Sequence, residues 1–298
     1  MMDIEQIKQL LAATSAAAGE AEPSVEAMRA GMVATTQNMP PAETAEIEAG
    51  ELGGIRAQKI IPNQYTEGRH LLYFHGGGYV LGSPETHTCL VSNLAVDMHA
   101  QTWSMDYRLA PEHPFPAALE DGVTAYRALL EQGAKPENII VGGDSAGGGT
   151  TVGTLLMARD QGLPMPAGQL LLSPWVNLTN QGWSYDTRAE ADPMIQKSGI
   201  DRMAGLYLNG AEPKTPYASP VFADLQGLPP MLIQVGPDEV LLSDSIQLAE
   251  RAGAAQIEVT LEIWPNMIHV FQAFHPFLPE AKDAVTRLAA WGAGKTAV

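Results

Sequence analysis

A chain of 298 residues that is 45% hydrophobic is long enough to bury the core of one α/β domain with a smaller attachment. Its formal net charge of −17 excludes partners recognised by their phosphates, so neither nucleic acid nor an anionic membrane surface is expected as a partner. The lone Cys89 excludes an internal disulfide and a cysteine-based metal cluster, and His87 beside it has no second ligand pair, so no metal and no cofactor is called for.

The amino terminus carries Asp3 and Glu5 and lacks the basic start of a secretion signal. No apolar run approaches the length that spans a bilayer, so the expected location is cytoplasmic, without membrane insertion. Residues 1–45 are rich in Ala and Met, with Ile4, Ile7, Leu10 and Leu11 at helical spacing. Residues 46–48 and 54–60 then read as antiparallel edge strands. Beyond them short apolar runs alternate with helical segments. Strands are predicted at 71–74, 102–106, 139–141, 170–172, 231–235 and 257–263, and helices near 117–130, from the turn after 141 to about 159, at 243–252 and at 280–291. This alternation predicts an α/β fold whose mainly parallel sheet is covered by helices on both faces. The stretch 182–218 interrupts it with a second helical piece containing Ile200, Met203 and Leu206. The expected division is therefore 1–45, 46–181, 182–218 and 219–298.

Two glycine-rich turns stand at strand ends. Gly143-Asp144-Ser145-Ala146-Gly147 follows the apolar run 139–141 and opens a helix. A serine on a sharp strand-to-helix turn has its hydroxyl exposed and strained, and flanking glycines avoid a clash. The helix start lends backbone N–H groups and a positive dipole end to a developing oxyanion. His75-Gly76-Gly77-Gly78-Tyr79 follows the strand 71–74. Three glycines there let backbone N–H groups turn toward a ligand, as an oxyanion hole requires.

A serine hydroxyl needs a base. On an elbow of this kind the partners follow along the chain as Ser, then Asp or Glu, then His. Of seven histidines only His269 and His275 lie beyond Ser145. His269 follows the strand 257–263, in a loop at a strand's carboxyl end, where α/β sheets collect site residues, and is preferred over His275. The orienting carboxylate is expected after the strand 231–235: Asp238 is the first choice, Glu239 a weaker one, and Asp244 is expected to cap or flank the next helix.

These motifs, with Asp106 to Ala118, Ser173-Pro174-Trp175, Asp238 to Leu242 and Met267 to Phe271, together resemble the bacterial hormone-sensitive lipase-like esterases (family IV lipolytic enzymes) of the α/β-hydrolase superfamily. The resemblance spans roughly residues 70–275 and departs from many relatives at Asn177. It implies an α/β-hydrolase fold with a helical cap built from 1–45 and 182–218. It further implies Ser145 as nucleophile, His269 as base and acid, Asp238 as orienter, and the N–H groups of Gly77, Gly78 and Ala146 as oxyanion donors. His75 would be structural, and Asp144 and Asp106 would support the elbow and the glycine loop. Met28, Met32 and Met39 are candidates to line the cap's pocket. The expected activity is that of a serine carboxylesterase on short- to medium-chain acyl esters, and the resemblance implies a homodimer. Two rivals stay open: a ligand-binding receptor on the same fold, and an amidase, lactonase or acyltransferase using the same triad.

Overall fold

The computed structural model describes residues 2–17 and 23–298. The parts of the expected attachment at residues 1 and 18–22 lie outside the described residues. Helices α1 (Ile4–Ala17) and α2 (Val25–Thr36) precede an antiparallel pair, β1 (Ala45–Leu52) and β2 (Ile55–Pro62). Gly53 and Gly54 turn this pair at φ of +65° and +81°, a conformation glycine adopts without a Cβ penalty. There follow β3 (His70–Phe74), α3 (Pro84–Met98), β4 (Gln101–Met105), α4 (Ala117–Glu131), β5 (Ile139–Asp144), α5 (Ala146–Asp160) and β6 (Gly168–Leu172). The chain ends with α6 (Ser184–Thr187), α7 (Lys197–Leu208), β7 (Met231–Val235), α8 (Leu242–Ala254), β8 (Val259–Ile263) and α9 (Pro279–Lys295).

The eight strands form one sheet in the order β1-β2-β4-β3-β5-β6-β7-β8. From β4 to β8 every pair is parallel, while β2 runs antiparallel to both of its neighbours. Strands covered on both faces need apolar residues at every position. Accordingly Leu71, Leu72, Tyr73 and Phe74 are all fully buried. Alternation then divides them. Leu72 and Phe74 join Val141, Leu171 and Ile233 in the core beneath α4, α5 and α8. Leu71 and Tyr73 join Ile140, Leu170 and Leu232 in the core beneath α3 and α9. A third, smaller cluster seats Ile7 of α1 on Met267, Ile268, Phe271 and Leu278. Burial of Ile7 stabilises that contact by about 1.5–3 kcal/mol, and it places the amino-terminal helix directly on the segment that carries His269.

The predicted α/β architecture is present, with two differences. Helix α3 was not anticipated, because it packs between sheet and α9 with apolar residues around most of its circumference and so shows no clear amphipathic period. Its start was nonetheless written in Ser83-Pro84-Glu85-Thr86, where Ser83 and Thr86 form a capping box and Pro84 occupies the first turn. The predicted strand 257–263 begins only at Val259, because the Ile257 amide is spent on the carbonyl of Ala252 at the end of α8.

Candidate active site

β5 delivers Ser145. The strand ends at Asp144, Ser145 takes φ +52° and ψ −121°, and α5 begins at the next residue. This conformation is sparsely populated for an L-residue and persists only where the surroundings hold it. Here they do: the Ser145 amide donates to Leu172 O (2.8 Å), and its carbonyl accepts from Gly148, Gly149 and Trp175. The flanking glycines are demanded by space. A Cβ on Gly143 would stand 2.4 Å from Gly147 O, and one on Gly147 would stand 2.0 Å from Phe74 O.

β8 and β7 deliver the base and its partner. His269 is 5% exposed, and its Nδ1–H donates to Glu239 Oε2 at 2.7 Å. Glu239 is fully buried; its other oxygen accepts the Ser173 hydroxyl at 2.8 Å and the Gly236 amide at 2.7 Å. Burial alone would push the imidazole's pKa down. The hydrogen bond and negative charge of Glu239 outweigh it, and His269 sits above its ordinary value.

The expected partner, Asp238, is not brought to His269. Its amide donates to Met267 O, which turns its side chain outward, and its carboxylate pairs with Lys8 of α1 at 2.9 Å. The two loops approach closely enough that a Cβ on Gly236 would stand 2.2 Å from Met267 O. In that packing the residue after Asp238, not Asp238 itself, faces inward. Geometry therefore replaces Asp238 with Glu239 beside the imidazole.

The glycine turn completes the site. Gly77 and Gly78 have φ of +118° and +63°, and among the described residues no acceptor takes their amides or that of Ala146. Asp144 anchors the turn's base by accepting the Gly76 amide (3.1 Å) and the Tyr73 hydroxyl (2.9 Å). His75 acts structurally, its ring stacked on Tyr107 at 4.4 Å and its Nδ1 against Gly76 O. Burial pushes its pKa down to about 3, so it stays neutral.

Ser145, His269, Gly77 and Gly78 open on one cavity of about 480 Å³. Its other walls are mostly apolar and include residues of α1, α2, α3, α7, the segment before α7 and the segment after His269. Met32 and Met39 line it as anticipated, whereas Met28 does not, and Met194 and Met203 add two methionines from the far side. Met203 Sδ lies over Gly78, where a Cβ would meet it at 2.1 Å.

Three supporting residues were not foreseen in these positions. Ser173, at φ +45°, bridges the two site loops by donating to Glu239 and accepting from the Val270 amide. Asp192 accepts the amides of Met194 and Ile195 with one oxygen and that of Val240 with the other. It thereby ties the cavity wall to the Glu239 loop. Asp244, expected as a cap or surface residue, is instead buried at 1% exposure and accepts from the amides of Val176 and Asn177 and from Tyr185. Burial raises its pKa to about 7. Asp106 pairs with Arg56 of β2, and His275 lies half-buried ahead of α9. Among the described residues no group of His, Cys, Asp and Glu is arranged to hold a metal ion, and no helix is long and apolar enough to cross a membrane.

A family model described as the α/β hydrolase fold matches residues 71–273. An acetyl-hydrolase of Streptomyces hygroscopicus is 43% identical over 268 residues, covering 90% of this chain and 88% of its own. An esterase of Acinetobacter venetianus is 35% identical over 283 residues, covering 95% and 93%. Of solved structures, EstE5 superposes with a TM-score of 0.95 at 48% identity, over 99% of each chain. A hormone-sensitive lipase from a metagenome library gives a TM-score of 0.95 at 46% identity, over 99% of this chain and 98% of that one.

Proposed function

The chain belongs to the α/β-hydrolase fold family, among the esterases and hormone-sensitive lipase relatives, and from that premise we propose that it cleaves carboxylic esters through an acyl-serine on Ser145. It is a carboxylic ester hydrolase whose working groups are Ser145, His269 and Glu239. The observation that carries this reading is the buried His269–Glu239 hydrogen bond opening on the same cavity as a strained Ser145.

Ser145 Oγ attacks the ester carbonyl while His269 Nε2 takes its proton. Glu239 fixes the tautomer that leaves Nε2 free to do so, and it offsets the charge on the imidazolium. The amides of Gly77, Gly78 and Ala146 receive the oxyanion, assisted by the amino-terminal end of α5. His269 then protonates the departing alkoxide and activates the water that releases the acid. Of the residues expected from sequence, Ser145, His269, Gly77, Gly78 and Ala146 keep their proposed roles, and Glu239 takes the one first given to Asp238.

Residues from 1–45 and 182–218 act as the cap. They wall the cavity with Leu11, Met32, Met39, Met194 and Met203 and keep water from the oxyanion. A cavity of about 480 Å³ with adaptable methionine walls suits short- to medium-chain acyl groups.

The test is hydrolysis of p-nitrophenyl esters from acetate to palmitate by wild type and Ser145→Ala. Turnover that peaks at the shorter chains and vanishes in the variant is expected. Equal turnover in the two proteins, or none from folded wild type, overturns the proposal.

A further inference from the structure

On the cavity that holds Ser145 lies a second acid–base pair for which the acyl-serine cycle has no step. His87 of α3 is 9% exposed and lines the cavity, and its Nε2 stands 3.4 Å from Asp144 Oδ2. Asp144 is 3% exposed, and among the described residues no lysine or arginine pairs with it. A buried carboxylate without a compensating charge would be strongly disfavoured. His75 cannot supply that charge, since burial keeps it neutral.

The hydrogen-bond partners around His87 accommodate a proton on both ring nitrogens. Nδ1 faces Thr86 Oγ1 at 2.9 Å and Ser83 O at 3.3 Å. Thr86 Oγ1 also lies 2.8 Å from Ser83 O and accepts the Ser83 amide, so its one proton serves either that carbonyl or Nδ1. With that proton on Ser83 O, both neighbours of Nδ1 are acceptors, and Nε2 faces a carboxylate, also an acceptor. In that arrangement only the imidazolium, with an N–H on both nitrogens, serves them all.

Resting on the acyl-serine reading, we infer that His87 is a positioning residue that works as an imidazolium. It keeps Asp144 ionised, and Asp144, through the Gly76 amide, sets the turn that carries the oxyanion donors Gly77 and Gly78. The imidazole pKa runs the same way: burial lowers it, but the charge and hydrogen bond of Asp144 and the Ser83 carbonyl carry it above its ordinary value. Because the oxyanion exists only in the transition state and intermediates, this device acts on kcat and leaves KM nearly alone.

Its signature is an alkaline limb. The titratable groups around His87 are Asp144 at the end of β5, His75 just after β3 with its ring 5.3 Å away, Tyr73 of β3 bonded to Asp144, Tyr107 of the loop after β4 stacked on His75, Glu85 two residues earlier on α3, and Cys89 and His269 on the same cavity. Tyr73 and Tyr107 lie well above their ordinary value through burial. Burial pushes the Cys89 thiol up to about 11, Arg56 holds Glu85 at about 2, and His75 sits at about 3. That leaves His87 and His269 to titrate near neutrality and above. His269 must lose its proton to work and gives the acid limb. His87 must keep its proton, so kcat falls as pH rises through its raised value.

Two measurements on the full-length protein test this. The ¹⁵N spectrum of histidine-labelled wild type, with His87 assigned by its absence from His87→Gln, should show both ring nitrogens protonated at pH 7. Steady-state kinetics on p-nitrophenyl butyrate between pH 5.5 and 9.5 should show His87→Gln losing about 10- to 100-fold in kcat, with KM within about threefold and the alkaline limb gone. If His87→Gln does not fold, the folded His87→Asn variant supplies the assignment. A neutral His87 at pH 7 overturns the inference. So does a folded variant with the wild-type kcat and alkaline limb. If wild type hydrolyses no ester, the esterase reading fails by itself, and the spectrum still decides the charge of His87.

Discussion

Replacing Glu239 by Gln separates the two neighbouring carboxylates most sharply. The substitution is isosteric and keeps an oxygen for Ser173 and Gly236, which together hold one side of the group. The –NH2 must then face His269 Nδ1, at a site where the wild-type oxygen is 2.7 Å away. A donor there can be met only if Nδ1 becomes an acceptor. That moves the ring proton to Nε2, the atom that has to receive a proton from Ser145. A wrong-tautomer base of this kind loses about 10⁴-fold in turnover, or roughly 5.5 kcal/mol of transition-state stabilisation at 1.36 kcal/mol per decade. Asp238→Asn removes only a partly exposed pair with Lys8 and should cost no more than about 1 kcal/mol of stability, with turnover changed by less than about threefold. The assay is kcat/KM on p-nitrophenyl butyrate, alongside thermal unfolding of both variants. A Glu239→Gln enzyme within tenfold of wild type, beside an Asp238→Asn enzyme crippled a hundredfold, would refute the assignment and restore Asp238.

The pH dependence follows from His269. Its folded pKa is raised, so it is protonated, and unable to take the serine proton, below a value higher than the ordinary 6.5. The acid limb of kcat/KM should therefore have its midpoint above 6.5, and a midpoint well below that in the pH–rate profile contradicts the geometry. Asp244 makes a stability prediction of opposite tendency to that of a salt-bridged carboxylate. Its folded pKa, about 7, exceeds the ordinary 3.8, so its contribution is fully present below about pH 4 and is lost as pH rises toward 7. Asp244→Asn can keep the Val176, Asn177 and Tyr185 contacts without the charge. Above pH 7 it should unfold at a higher temperature than wild type, by about 2–4 °C per kcal/mol gained, and the difference should vanish near pH 4. An equal or lower unfolding temperature at pH 8 counts against the buried-charge account.

Much of this site was legible before any coordinates. Ser145 was marked by the glycines around it, whose necessity is steric and local, and the glycine turn by its position at a strand end. His269 followed from chain order. The choice between Asp238 and Glu239 was not legible. It depends on how the loop after β7 meets the loop after β8, and the Lys8 that claims Asp238 lies 230 positions away in the sequence. Asp244 was misjudged for a related reason. A helix-start aspartate is ordinarily a cap, and only the return of the Ser173-Pro174-Trp175 loop over α8 makes it a buried acceptor. Helix α3 escaped because burial on several sides erases the periodicity by which helices are recognised, although its capping residues were there to be read. With α3 went the significance of His87, whose partner Asp144 belongs to the elbow.

Because β5, β6, β7 and β8 lie side by side in the order in which they leave the ribosome, the site is assembled in sequence from nucleophile to base. A nascent chain that has released β5 and β6 can shape the elbow, yet its serine has no proton acceptor. Glu239 arrives with β7 but stays an unused carboxylate until the edge strand β8 docks and brings His269 against it. Premature termination or proteolytic loss that removes β8 and His269 is thus expected to yield inert fragments rather than weakened enzymes. On this reading hydrolysis is expected only of chains that extend through His269, and activity doubles as a report that β8 has docked.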